Sequence, residues 1–162
     1  MGGWHTLYSW RNPPHALLEA EIAPQADFAL VFASLAPRLA WRTVTVSPLG
    51  EDAWHVVAVV ENLGFLPTHV SAQALRMKAV QPVRLELAPG DGVALAGGKP
   101  RQDVGQLQGR SNKLEVAYNG ASPTDNRARA EWVVRGPAGA TVELQATSER
   151  AGVLRRTIVF GD

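Results

Sequence analysis

The sequence predicts a mainly β fold: an immunoglobulin-like antiparallel β-sandwich of roughly seven to nine strands, preceded by an N-terminal helix or kinked helix pair. Three observations carry this expectation. Beyond Leu39 the apolar residues recur with a period of two, as in "WRTVTVSPL" and "WHVVAVVENLG". Gly, Pro, Asn and Asp punctuate that region at regular short intervals. Before Leu39 the period is helical instead, and the stretch "ADFALVFASLAPRL" is apolar on nearly every side.

Taken in order, "GGWHTLYSWRNPP" reads as extended or irregular. The tandem prolines hold Asn12 out of the helical region, so Asn12 or Pro13 is a natural helix entry. From Pro14 the pattern turns helical, with Leu17, Leu18 and Ile22 apolar and Glu19 and Glu21 polar. Pro24 has no N–H and is expected to kink or split the helix. A second piece, about Gln25 to Ala36, shows polarity only at Asp27 and Ser34; Phe28, Val31, Phe32 and Leu35 share one face. A helix this apolar has to pack against something, so these four residues form the candidate partner interface. Pro37 ends the helix.

Strands follow. "WRTVTVSPL" alternates across Val44 and Val46, and Trp54 to Glu61 is a strong strand ended by Asn62 and Gly64. "SAQALRMKA" reads as a short helical turn. Then "PVRLELAP", "GVALAGG", "VGQLQG", "NKLEVAY", "RAEWVVRGP", "ATVELQATSE" and "GVLRRTIVF" read as short strands, with "NGASPTDNRAR" the most polar loop. The core is expected to draw on Trp54, Val57, Val59, Leu85, Leu87, Trp132, Val134, Leu144 and Ile158. The chain divides near Ala40: residues 1–39 as a helical lead and 40–162 as the sandwich, about the size of an ordinary sandwich domain.

The 162 residues are 46% hydrophobic, enough for a sizeable core. The net charge is +1, and the 13 arginines and 3 lysines are scattered. Nucleic acid and anionic membrane both call for clustered positive charge, so neither is an expected partner. With no cysteine, disulfides, thiolate metal sites and cysteine catalysis are excluded. No basic region followed by an apolar run marks a signal peptide, and nothing in the composition points to a compartment.

The four histidines, His5, His15, His55 and His69, show neither HxxE nor HExxH spacing. His15 and Glu19 stand four apart on the predicted helix, a capping or incidental pair rather than a metal site. His55 falls in a strand as a half-buried packing residue, and His69 in the loop after "GFLP". No serine sits in a nucleophile elbow, and "LAGGKPR" lacks the spacing of a phosphate loop. "PGDG" and "SPTDN" hold too few carboxylates for calcium and read as turns. Trp41, Trp54 and Trp132 fall in strands, where a core role is the default. The expectation is therefore a chain with no catalytic, cofactor-binding or metal-ligating residue of its own.

Three longer stretches, "VSPLGEDAWHVVAVVENLGFLPTHVS", "VGQLQGRS" and "EWVVRGPAGATVELQATSERAGVLRRTIVF", resemble the C-terminal part of bacterial zinc carboxypeptidase-like proteins. "ENLGFLPT" and "QLQGRS" are the most specific pieces. "GGWHTLYSWRNPP" and the helix after it look like the last segment of the catalytic domain in that family. The resemblance implies a helix that packs on the sheet of a peptidase domain, followed by an accessory sandwich. The family's zinc ligands, an HxxE pair and a later histidine, and its general-base glutamate before a Gly-Gly pair have no counterpart here. Only Met1 precedes Gly2-Gly3, which reads as a start placed on a fragment. Arg11 and Asn12 fall near the family's active-site end without a role that can be carried over.

The implied function is a non-catalytic accessory or interaction domain that supports the peptidase domain or its substrate contacts. Zinc is expected only in the missing catalytic domain. The implied partners are that peptidase domain and, through the helix, a second copy of the chain. The alternative is a free-standing β-sandwich module for glycan or protein, which an exposed row of tryptophans would favour.

Overall fold

The structure, a computed structural model, describes residues 3, 7, 11–113 and 125–161. It divides into two compact units, Met1–Leu35 and Ala36–Asp162.

In the first unit a short 3₁₀ turn, His15–Leu17, runs into helix α1, Leu18–Ser34. Of the kink or split expected at Pro24, the split does not occur: the helix runs unbroken through it. Proline's fixed φ is itself helical, and its cost is one hydrogen bond, the one Ala20 would have received. Ala20 and Pro24 are both exposed, so water reaches the freed carbonyl. Ser34 closes the last turn by donating its hydroxyl to the Val31 carbonyl at 2.6 Å.

The second unit is an immunoglobulin-like antiparallel β-sandwich. Its strands are β1 (Leu39–Gly50), β2 (Ala53–Asn62), β3 (Arg84–Pro89), β4 (Ala94–Gly97), β5 (Arg101–Asp103), β6 (Arg127–Arg135), β7 (Thr141–Ser148) and β8 (Gly152–Val159). One sheet has the order β1-β2-β6-β4 and the other β5-β3-β7-β8. Helix α2, Ala72–Arg76, fills the turn expected in "SAQALRMKA", with Ser71 Oγ accepting the Ala74 N–H at 3.2 Å.

The core lies between the sheets. Val56, Ala58 and Val60 of β2 meet Trp132 and Val134 of β6 on one side and Leu85, Val142, Leu144 and Ile158 on the other. Trp132 is 1% exposed, and its indole N–H donates to the Lys99 carbonyl at 2.8 Å, so burying this polar group leaves nothing unpaired. Trp54 stacks on Phe160 with ring centroids 5.3 Å apart.

Three other expectations are corrected. Val57 and Val59 lie on the outer face of β2, because the residues paired with the opposite core row are 56, 58 and 60. "VGQLQG" is not a strand. Gly105 takes φ 82°, which breaks the alternation, and the bonds on either side go to loops and strand ends: Val104 N–H to Val83 O and Thr68 N–H to Leu107 O. Strand β6 begins at Arg127, inside the segment read as a polar loop. Of the expected strand "NKLEVAY", Asn112 and Lys113 lie instead in a 3₁₀ turn, Arg110–Lys113, while the rest of it and most of that polar loop lie outside the described residues.

Candidate functional site

The two most specific motif pieces, "ENLGFLPT" and "QLQGRS", come together at one end of the sandwich, and Asn62 fastens them. Its side chain is fully buried. Oδ1 accepts the N–H of Arg38 and of Gly64, both at 2.9 Å. Nδ2 donates to the carbonyls of Leu66 at 2.8 Å and Gln108 at 3.2 Å. All four hydrogen-bonding positions of the amide are filled, which is the condition for burying it at little cost. Arg110 N–H to Gly64 O and Ser111 N–H to Phe65 O tie the second motif to the first.

Glycine is required where these backbones touch. A Cβ on Gly64 would run into the carbonyl oxygen of Ala36, and one on Gly109 into that of Phe65. Thr68, also fully buried, donates its hydroxyl to Gln106 Oε1 at 2.7 Å and accepts the Leu107 N–H at 2.9 Å. Next to it His69 is buried, and its Nδ1 has no hydrogen-bond partner among the described residues. Val70 then takes φ 62°, a conformation that a β-branched residue adopts only when its surroundings force it. Sequence reasoning read Asn62 only as a strand terminator. The signal that was there is an asparagine directly before Leu-Gly, where a chain turns and needs local hydrogen bonds.

Of the candidate interface residues, Phe28, Val31 and Phe32 lie on α1 and Leu35 caps its C-terminal end. Phe28, Val31 and Phe32 are 66%, 59% and 61% exposed, Leu35 is half-buried, and no residue of the helix is buried. Phe28 and Phe32 stack on one another at 6.2 Å, one turn apart. Leu30 and Ile22, on other sides of the helix, are exposed as well. The helix therefore presents apolar surface around more than one side.

The remaining candidates scatter. His55 lies on the outer face of β2, half-buried, with Nε2 2.9 Å from Glu131 Oε2. His15 and Glu19 stand at the start of the helical unit with no hydrogen bond between them. Among the described residues no group of three or more His, Asp or Glu is placed to hold a metal ion. Both outer sheet faces carry ion pairs instead. Glu61 meets Arg42 at 3.9 Å and Arg127 at 3.2 Å on one sheet, and Glu86 meets Arg101 at 3.2 Å on the other. Trp41, Trp54 and Trp132 all face the core, so they form no exposed aromatic row.

No curated protein matches the chain in sequence. Among solved structures it is similar to the yeast GGA1_GAE domain-P21, with 12% identity over 77% of this chain and 91% of that one, at a TM-score of 0.43. It is also similar to the GAE domain of GGA2p from Saccharomyces cerevisiae, with 13% identity over 77% and 96% at 0.38. A third similarity is to the Bifidobacterium adolescentis GH3 beta-glucosidase, with 16% identity over 76% of this chain and 17% of that one at 0.30. Residues 38–159, the whole of the sandwich from the residue before β1 to the end of β8, match the family described as Domain of unknown function (DUF8731), and the chain belongs to that family.

Proposed function

We propose that the chain is a non-catalytic protein-interaction module that docks on another protein domain through α1. The observation that carries this reading is the exposure of Phe28, Leu30, Val31 and Phe32, between 59% and 70%, on a helix with no buried residue. Burying one such side chain fully is worth about 1.5–3 kcal/mol, so a complementary surface would gain several kcal/mol from this helix. The tryptophans of the strands are turned inward, which favours a protein over a glycan as the ligand.

The partner domain we propose is a zinc carboxypeptidase-like catalytic domain, on the strength of the sequence resemblance. In that setting zinc and catalysis belong to the partner, and this chain supports the partner or its substrate contacts. The test is to read the coding sequence upstream for HxxE, a later His and Glu-x-Gly-Gly, then supply that domain as a separate protein. Expected is a complex with the chain that Phe28→Glu with Phe32→Glu abolishes. No upstream peptidase motif, or binding indifferent to the double substitution, rejects the reading.

A further inference from the structure

The two sides of the sandwich are finished differently. On one side β4 passes into β5 through residues 98–100, and these edge strands have 4 and 3 residues. The crossover is fastened to both sheets: Trp132 Nε1 donates to Lys99 O and Leu87 N–H to Pro100 O, each at 2.8 Å. On the other side β1 and β8 lie beside each other, with 12 and 8 residues. Neither has a further strand along its outer edge among the described residues.

An open edge presents a row of unpaired N–H and C=O groups, and folded proteins blunt such edges with short strands, bulges or inward-pointing charges. Strands β4 and β5 are short. Strand β8 carries Arg156 opposite Leu144, on its core-facing row, yet exposed. Strand β1 has register shifts between Trp41 and Thr43 and between Pro48 and Gly50. Between those shifts Thr43, Val44, Thr45, Val46 and Ser47 pair without interruption with residues 59 to 55 of β2. They are uncharged, alternate hydroxyl with valine, and have the composition of a pairing strand.

We propose that Thr43–Ser47 is a strand-addition site for an extended segment of a partner protein, one that carries a carboxylate to meet Arg156. Main-chain groups on the free side of β1 supply the pairing, and alternate side chains of the added strand supply selectivity. One row of those side chains lies beside Thr43, Thr45 and Ser47. The other lies over the seam between the sheets, where Val44, Val46 and Leu154 are only half-buried. Arg42, Arg84, Arg101, Arg127, Arg129 and Arg155 each have a carboxylate between 3.0 and 3.9 Å away. Arg156 has no such pair among the described residues. A second copy of the chain is the poorer occupant. Pairing β1 with β1 brings Trp41, Val44, Val46 and Pro48 together, none of them acidic, so that neither copy's strand supplies a carboxylate.

This inference goes beyond the docking role of α1 and is tested apart from it. The probe is a fluorescein-labelled hexapeptide that alternates valine with threonine and glutamate, compared with its lysine counterpart on the full-length chain. Expected is about fivefold tighter binding of the glutamate peptide, reversed by Arg156→Glu, which changes an exposed edge residue. Bound peptide slows amide exchange at Thr43–Ser47, and the Phe28→Ser, Phe32→Ser variant binds it as the wild type does. Four results overturn the proposal: no binding of either peptide at millimolar concentration, equal binding of the two, loss of binding in the α1 variant, or protection of Thr43–Ser47 that grows with protein concentration without peptide.

Discussion

Asn62 and Asn126 bind each other reciprocally. The Asn62 N–H donates to the Asn126 carbonyl at 2.9 Å, and Asn126 Nδ2 donates back to the Asn62 carbonyl at 3.0 Å. With its own side chain holding Arg38, Gly64, Leu66 and Gln108, Asn62 joins four separate stretches of chain at the end of β2. Replacing it leaves several buried groups unpaired at once. Asn62→Asp keeps the shape but removes both donors to Leu66 O and Gln108 O and buries a carboxylate. We expect it to cost about 2–5 kcal/mol, read from urea unfolding with the wild type alongside. A loss under about 1 kcal/mol would show that the two loops hold each other without this residue.

Gly109→Ala tests the close approach of those loops separately from their hydrogen bonds. Gly109 is not in the left-handed region, so alanine meets no backbone penalty there, only the Phe65 carbonyl. The expected loss is about 1–3 kcal/mol, the usual cost of forcing extra bulk into packed structure. Gly3→Ala, with open space around the added carbon, is the control and should leave the melting temperature unchanged. Equal effects at the two positions would remove steric contact as the reason for glycine in "QLQGRS".

The face assignment of β2 gives a sharper comparison. Val56 is fully buried against the second sheet, and its neighbour Val57 faces outward, half-buried. Val56→Ala should cost about 2 kcal/mol and Val57→Ala less than about 1. Chemical denaturation of both variants decides it, and a reversed order would mean that the strand sits one residue out of register.

That pair also marks how far the sequence could be read. Strand positions followed from period-two alternation, and seven of the expected segments are strands because their turn residues are local signals. Which face of β2 turns inward did not follow, because "WHVVAVV" has valine on both faces. The outer valines are flanked by Thr43 and Thr45 of β1 and by Arg129 and Glu131 of β6, pairings that no single segment reveals. The same holds for the candidate sites. The apolar character of Phe28, Val31 and Phe32 was legible in the helix itself. The role of Asn62 depends on partners up to 46 residues away along the chain for its side chain, and 64 for its backbone. That β1 is the last strand of its sheet among the described residues depends on the strand order of the whole sheet.

The start of the sandwich is a further case where long-range partners matter. A chain cut to begin at Ala40 keeps nearly all of β1. It loses Leu39, which is 7% exposed in the core, and with Arg38 both the N–H that Asn62 Oδ1 accepts and the carbonyl that receives the Leu63 N–H at 2.8 Å. A chain that begins at Ala36 keeps all three. Both should give β-type circular dichroism, with the longer one more stable by at least about 2 kcal/mol. Equal melting of the two would mean that residues 36–39 add nothing to the core.

The isolated chain also has to place the apolar surface of α1. Phe28, Leu30, Val31 and Phe32 together expose side chains worth several kcal/mol of burial, a large amount beside the roughly 5–15 kcal/mol that hold a typical domain folded. In the absence of the partner domain proposed above, a second copy of the same helix is the nearest complementary surface, and two apolar helices pair most simply about a two-fold axis. We therefore expect a dimer at micromolar concentration, measured by light scattering. Phe28 and Phe32 form a stacked pair one turn apart, so changing both to serine removes the largest anchor of such an interface while leaving the helix exposed and free of new bulk. The double variant should run as a monomer with an unchanged β-type spectrum. A wild-type chain that scatters as a monomer, or a double variant that stays dimeric, removes α1 as the site of self-association.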